Sequence, residues 1–356
     1  MTRKTAFITG ISGQDGAYLA AFLCERGYDV HGLVRWDSYM SPTDGMARLD
    51  ALGLVRDDIT LHMGDLTDAN NLNLLIKEIQ PSEIYNLAAL SHVKVSFETP
   101  ASTLQTNTMG TLNILEAVRV LGMEGSVRVY QASSSEMFGS IPAPQNERAQ
   151  MEPCSPYGAA KLAAYHLAKI YRQSYGMFVS NGILFNHESP LRGEDFVTHK
   201  ITRAVAEIEM GRRAPLSLGN LDSVRDWGAA QDYVRGMWMM LQHGEADDFV
   251  LATGKARSVR DFAAAAFAHI GVEIEWRGKG EAEQGVDAKT GRVMVDVDPQ
   301  FFRPLELNFL LGDCSKARDV LGWMPEIGFD ALVAQMVNAD RAVLREKDDV
   351  SCMMAG

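Results

Sequence analysis

TAFITGISGQDGAYL, residues 5–19, runs a short apolar stretch into three glycines and then into a helix-period pattern. Thr5 to Thr9 reads as a buried strand, and Gly16 to Arg26 carries apolar residues at helical spacing. Between them, Gly10, Gly13 and Gly16 permit a tight turn whose backbone can approach a pyrophosphate, and the helix N-terminus that follows favours that negative charge. Glycines at this spacing are often only turn formers. Their place after a first strand and before a first helix is what gives them a dinucleotide reading. Tyr28 to Val34 supplies the second strand and completes a βαβ unit.

The alternation continues with the strand ITLHMGD, a helix from Ala69 to Ile79, the strand EIYNLAA, a long helix from Asn107 to Leu121 and the strand VRVYQAS. The expected fold is therefore α/β, a Rossmann-like doubly wound parallel sheet with helices on both faces and a smaller, interleaved substrate-binding lobe. The first domain is expected over residues 1–185, with 226–255 returning to it. Residues 186–225 and 256–345 form the expected substrate lobe, since the pattern loosens beyond Asn186 into short segments rich in Arg and Gly. The charged, Gly-bearing stretch Glu275 to Val297 reads as a surface excursion, and 346–356 as a disordered tail.

With 356 residues the chain can bury a full core, and its formal net charge of −12 argues against nucleic acid or a membrane surface as partner. An anionic substrate would then need a local basic pocket. Cys24, Cys154, Cys314 and Cys352 lack the paired spacing of a zinc site, so they read as free thiols of a cytoplasmic protein, and no metal is expected. The first strand follows the N-terminal residues directly, without the pattern of a signal peptide, and no apolar run approaches the roughly 20 residues of a membrane span.

At the end of the second strand, where an acidic residue would bind the ribose 2′-hydroxyl of NAD, the chain has Val34 and then Arg35. That favours NADP, with Asp37 as the feature that opposes it. Asp65 and Leu66 follow the third strand, where an adenine edge would rest; an ordinary turn and helix cap is the plainer use of an Asp there.

In SSSEMFG, residues 133–139, and SPYGAAK, residues 155–161, lie the tools of hydride chemistry on an alcohol. Tyr157 and Lys161 at i, i+4 share one helix face, and an ammonium beside the phenol favours its ionised form. Tyr157 can then take a proton from a sugar hydroxyl that Ser134 also hydrogen-bonds. Simple dehydrogenation or C4 epimerisation has no task for Glu136. A dehydratase does: once C4 of a hexose is a ketone, the C5 proton is acidic, a carboxylate can remove it, and water leaves from C6. A glutamate at a helix start is otherwise an ordinary cap.

Together these motifs resemble the extended short-chain dehydrogenase/reductase superfamily, and within it the chain is similar to the GDP-mannose 4,6-dehydratase family over nearly all of Thr5 to Leu344. Besides the stretches already quoted, NLAALSHVKVSFE, GILFNHESPLRGEDFVTHKI, LGNLDSVRDWG and FFRPLEL carry the resemblance. It implies a lyase that takes GDP-mannose to GDP-4-dehydro-6-deoxy-mannose, with Ser134 orienting the C4 hydroxyl, Glu136 as C5 base, Tyr157 as the base at the C4 hydroxyl, and Lys161 tuning it and holding the nicotinamide ribose. It further implies NADP contacts at Gly10, Gln14, Asp15, Arg35, Asp65, Leu66, Leu87, Ala89, Ser91, His187 and Arg192, with Gly13 and Gly16 in the same turn. GDP-sugar contacts are implied at Ser91, Asn186, Val197, Lys200, Gly219, Asn220, Arg225, Arg303 and Glu306.

Lys200, Arg225 and Arg303 would supply the basic pocket a diphosphate demands, and Glu306 would accept from a guanine edge; a lone Arg also serves as a surface ion pair. Ser134 stands where the family more often has Thr, RWDSYMSPTDG replaces its paired-arginine loop, and Leu90 replaces a polar residue beside Ser91. These departures leave room for a related GDP-sugar such as a GDP-heptose, and for a homodimer as well as a homotetramer. The competing readings are a nucleotide-sugar oxidoreductase or epimerase, which would leave Glu136 idle, and a non-enzymatic NADP-binding regulator.

Overall fold

The structure, a computed structural model, describes residues 3–40, 46–54, 58–212, 215–302, 307 and 309–355. The chain opens with β1 (Thr5–Thr9), α1 (Gln14–Glu25), β2 (Asp29–Val34), short helices α2 (Trp36–Met40) and α3 (Ala47–Ala51), β3 (Ile59–Met63) and α4 (Ala69–Ile79). It continues through β4 (Glu83–Asn86), α5 (Val93–Glu98), α6 (Pro100–Leu104), α7 (Gly110–Val120), β5 (Arg128–Ser134), α8 (Pro156–Tyr175) and β6 (Phe178–Leu184). After β7 (Asn186–Glu188), α9 (Val197–Glu209), β8 (Leu216–Leu218) and β9 (Val224–Ala229) come α10 (Ala230–Gln242) and β10 (Asp248–Leu251). The remainder is β11 (Ala256–Ser258), α11 (Val259–His269), β12 (Ile274–Arg277), β13 (Gln284–Asp287), β14 (Val293–Val297) and α12 (Phe329–Ala355).

Two compact units divide this chain. The first takes Met1–Phe185, Ala230–Gly254 and Leu311–Pro325, and the second takes Asn186–Ala229, Lys255–Leu310 and Glu326–Gly356.

In the first unit seven parallel strands pair in the order β10-β6-β5-β4-β1-β2-β3. Strands covered on both faces need continuous apolar runs, and Ala6, Phe7 and Ile8 of β1 are accordingly fully buried. One face of the sheet packs Phe7, Leu33, Ile84 and Val129 against Leu72 and Ile76 of α4 and Ile114 and Val118 of α7. On α10 the residues Tyr233, Met237, Met240 and Leu241 are buried, so the Met and aromatic positions of that helix are packing. The chain moves outward through β1, β2 and β3 and then resumes on the other side of β1 with β4. Such a reversal opens a crevice at the carboxyl ends of the two strands, where open α/β sheets bind ligands.

The second unit holds a three-stranded sheet, β11-β9-β7, and a four-stranded one, β12-β13-β14-β8. Its core joins Ile201 and Val205 of α9, Phe262 and Phe267 of α11, Leu332 and Met336 of α12, and Trp227. Helix α11 begins with a reciprocal capping box between Ser258 and Asp261.

Three expectations about the chain are corrected. Glu275 to Val297 is no surface excursion: it forms β12, β13 and β14, with Val286, Met294 and Val295 buried. In IEWR the exposed Glu275 and Arg277 alternate with half-buried Ile274 and Trp276, so the charges mark the outer face of a strand. Residues 346–355, expected to be disordered, continue helix α12 to Ala355. Residues 311–325 belong with the first unit. There Gln145 main-chain N donates to Leu311 O at 2.8 Å, and the buried Trp323 donates through Nε1 to Asp232 O at 2.8 Å.

Candidate active site

The glycine turn between β1 and α1 is built for close approach. Gly10 has φ +71°, a Cβ there would lie 2.9 Å from the Ala88 backbone, and a Cβ on Gly16 would lie 2.2 Å from Gly10 O. Gly13 donates to Gly10 O at 3.0 Å and caps α1, whose first turn brings Gln14 and Asp15 together, Nε2 to Oδ1 at 3.0 Å. Thr9 Oγ1 accepts from Leu87 N and Ala88 N, both at 3.1 Å, which ties the turn to the segment holding Leu87, Ala89 and Ser91. The structure thus gathers the expected residues of the turn and of the loop after β4 at one end of the sheet.

Asp65 and Leu66 follow β3. The Asp65 carboxylate closes a local turn on Thr67, accepting from its N at 2.8 Å and its Oγ1 at 2.7 Å, while Asp68 caps α4. Leu66 is buried, and its carbonyl accepts from Asn113 Nδ2 at 2.8 Å. Arg35 is exposed at the end of β2. A second basic group stands at the glycine turn that sequence reasoning missed: Arg48 of α3 donates through Nη1 to Ser12 O at 3.3 Å. The tight cradle at Gly10 and Gly16, the helix N-terminus and the guanidinium groups of Arg35 after β2 and Arg48 on α3 fit a dinucleotide.

The candidate catalytic residues meet where β5 ends and α8 begins. Ser134 closes β5, and its Oγ accepts from Glu136 N at 3.2 Å in the short 3-10 turn Ser135–Met137. Helix α8 starts with Ser155, whose Oγ accepts from Gly158 N at 3.0 Å, and with Pro156 in its first turn, and it ends at Gly176 with φ +65°. A Cβ on Gly158 would lie only 2.6 Å from Glu136 O, so the first turn of α8 rests directly on the turn that carries Glu136. Tyr157 N donates to Ser96 Oγ at 3.2 Å.

One turn further along α8, Lys161 Nζ donates to Ala132 O at 2.9 Å and lies 5.9 Å from the centroid of the Tyr157 ring. Burial pulls the pKa of this lysine down from 10.5 to about 8, with the Asp15 carboxylate working in the other direction. At about 8 the group still carries its proton at neutral pH, so an ammonium stands beside the Tyr157 ring. Ser134, Glu136, Tyr157 and Lys161 are brought to one corner of the first unit.

Asn107 is another residue whose role the sequence reading passes over, since it reads there only as the start of a long helix. It sits in a π-helical turn, Gln105–Met109, and clamps Leu90 from both sides, accepting from Leu90 N at 2.8 Å and donating to Leu90 O at 3.1 Å. A buried polar residue on an apolar helix face is the only signal that pointed to it.

The remaining expected contacts lie in the second unit. Asn186 and His187 form β7 beside β9, in register with Trp227 and Gly228. Arg192 pairs through Nε with the buried Glu188 at 3.0 Å and lies over the Phe196 ring. Val197 is the first residue of α9. Lys200 Nζ sits 3.2 Å from the centroid of the Phe301 ring, and a Cβ on Gly219 would lie 2.9 Å from Phe301 O, so Phe301 brings Lys200 and Gly219 together. Asn220 Oδ1 accepts from Asp222 N at 3.0 Å, and the buried Arg225 on β9 donates to Val224 O at 2.9 Å. Arg303 and Glu306 lie outside the described residues. Among the described residues no group of three or more His, Cys, Asp or Glu is arranged to hold a metal ion, and no helix is long and apolar enough to cross a membrane.

The sequence matches the family model for GDP-mannose 4,6 dehydratase over residues 7–336. It is 53% identical over 348 residues to a GDP-mannose 4,6-dehydratase of Sinorhizobium fredii (strain HH103), covering 96% of this chain and 98% of that relative. It is 50% identical over 349 residues to the GDP-mannose 4,6 dehydratase of Homo sapiens, covering 96% and 93%. Among solved structures, RMD from Pseudomonas aeruginosa complexed with NADPH superposes with a TM-score of 0.73 at 24% identity, over 95% of this chain and 99% of that one, a likeness of fold.

Proposed function

The chain belongs to the GDP-mannose 4,6-dehydratase family, and from that premise we propose how its residues divide the work. It is a lyase that converts GDP-mannose to GDP-4-dehydro-6-deoxy-mannose. NADP is the cofactor, supported by Arg35 after β2 and Arg48 at Ser12 O; when bound, it supplies a hydride acceptor for C4 and a hydride donor for C6. Tyr157, with Lys161 beside it, takes the proton of the C4 hydroxyl as that carbon is oxidised, and Ser134 orients the same hydroxyl. Glu136 removes the proton from C5, acidic once C4 is a ketone, and water departs from C6. No net oxidation results.

The single observation that carries this reading is the seat of Glu136. Its main chain is bonded to Ser134 on one side and rests on Gly158, next to Tyr157, on the other, so a carboxylate is built into the same corner as the hydride machinery. In the second unit, Asn186, Val197, Lys200, Gly219, Asn220 and Arg225 are proposed to bind the GDP-sugar, with Arg303 and Glu306. A homodimer through α7 and α8 is the proposed assembly ahead of a homotetramer. The free thiols Cys24, Cys154 and Cys314 support a cytoplasmic setting.

The test is turnover of GDP-mannose by purified protein with catalytic NADP in deuterated water. A 4-keto-6-deoxy product carrying deuterium at C5, with no accumulated NADPH, is expected. Glu136→Gln should lower its formation by on the order of 100-fold or more, the scale of a lost general base, with folding unchanged. A C4 epimer as product, or full activity in Glu136→Gln, would overturn the reading in favour of an epimerase.

A further inference from the structure

A row of polar side chains crosses the middle of the parallel sheet, where packing alone needs apolar ones. Thr9 of β1 lies opposite Asn86 of β4, and Asn86 opposite Gln131 of β5, each at most 2% exposed. Buried polar groups are costly unless every one is bonded, and here each is. Thr9 Oγ1 donates to Asn86 Oδ1 at 2.7 Å, and Asn86 Nδ2 donates to Gln131 Oε1 at 2.8 Å. Thr111 of α7 lies against both amides: its Oγ1 accepts from Asn86 Nδ2 and sits by Gln131 Oε1, each at 3.3 Å. Gln131 Nε2 donates to Ala132 O at 3.0 Å, the carbonyl on which Lys161 Nζ rests at 2.9 Å.

The direction of this row is fixed from its far end. Thr9 Oγ1 accepts from two main-chain N–H groups, Leu87 and Ala88, so its one hydrogen must go to the amide oxygen of Asn86. Asn86 therefore turns its NH2 toward Gln131, and Gln131 must answer with its oxygen and present its own NH2 to Ala132 O. Ala132 lies one residue past Gln131, which pairs with the last residue of β4, so its carbonyl stands just beyond the end of the β4–β5 ladder.

We propose that Gln131 is a positioning residue for Lys161: through Ala132 O it fixes where the ammonium stands relative to the Tyr157 phenol. The inference rests on the roles given above to Tyr157 and Lys161. Without the amide donor the peptide carbonyl is less constrained, the ammonium drifts from the phenol, and the phenol becomes harder to ionise.

The experiment is the pH dependence of kcat in the NADP-loaded enzyme with Gln131→Met, which keeps the side chain's length and removes its hydrogen bonds. Expected at neutral pH is a fall in kcat of roughly 10- to 100-fold, the range of a small misplacement in an active site, with KM for GDP-mannose nearly unchanged. The acidic limb should move to higher pH, so that the deficit shrinks as pH rises. Thr111→Val, which removes one of the polar groups against Gln131 Oε1, should shift the limb the same way by less, and it carries the test if Gln131→Met does not fold. A loss equal at every pH, or a wild-type limb in both variants, would overturn the proposal and leave the row a matter of folding. Tyr157→Phe separates the two layers: if it is active with a wild-type limb, the underlying role of Tyr157 fails; if it is inactive while Gln131→Met keeps its limb, only the present inference fails.

Discussion

At Lys161, burial and charge oppose each other. The side chain is 5% exposed, and its pKa falls from 10.5 to about 8 because of that burial. Between those two values the unfolded chain holds a proton that the folded chain has released, so stability rises with pH across that window. Below it both states are charged, and the buried ammonium costs the folded state about 3 kcal/mol by the usual conversion. Lys161→Met should therefore abolish turnover yet raise the melting temperature at pH 7 by several degrees, an advantage that fades toward pH 10. Thermal melts across that range decide it, and a less stable variant at pH 7 would show the lysine to be a structural anchor. Residues of this kind are legible in sequence when the chemistry falls within a few positions of a strand end or a helix start, as Ser134, Glu136, Tyr157 and Lys161 do. Arg48, Asn86 and Gln131 are not, because the bonds Arg48–Ser12, Asn86–Gln131 and Thr9–Asn86 join positions 36, 45 and 77 residues apart.

Between elements, the decisive contact is that of α8 on the 3-10 turn Ser135–Met137. Gly158 lies within α8, where alanine would be favoured by about 1 kcal/mol on propensity alone. Its neighbour decides the sign: an added Cβ would stand 2.6 Å from Glu136 O, a main-chain atom that cannot swing away. Gly158→Ala is expected to lower the melting temperature in spite of its helix propensity and to reduce kcat by roughly 10-fold or more through displacement of Glu136 from Tyr157. Wild-type kinetics together with a raised melting temperature would show that the two elements can part without consequence. Most elements were visible in the pattern, since strand and helix periods differ plainly. The π-helical turn Gln105–Met109 was hidden because a single added residue leaves little mark on a helical pattern, and β12 was hidden because charged residues on its outer face masked a period of two.

For the molecule as a whole, the surface of α7 and α8 is where an assembly can be argued. Leu104 at the end of α6, Met109 in the π-helical turn before α7, Val120 of α7 and Ile170 of α8 are 44%, 39%, 63% and 49% exposed. Scattered exposed apolar residues are ordinary, but Met109, Leu112, Glu116 and Val120 repeat along one helix face, and α7 packs beside the α8 that carries Ile170. Arg119 of α7 holds the Glu116 carboxylate on the same helix at 2.7 Å, and Tyr171 of α8 donates to it as well; together they bring its pKa down to about 2. A chain of net charge −12 repels its own copies, so any dimer must draw on apolar contact, and about 800 Å² per protomer is the usual requirement. In the proposed dimer two opposed helix pairs would form that face. The double variant Val120→Glu, Ile170→Glu adds two charges to each copy at that face and should convert the proposed dimer to a monomer in sedimentation, with the fold and the binding of a nicotinamide cofactor retained. If the wild-type chain already sediments as a monomer at micromolar concentration, or if the double variant remains dimeric, the assembly lies on another surface or does not form.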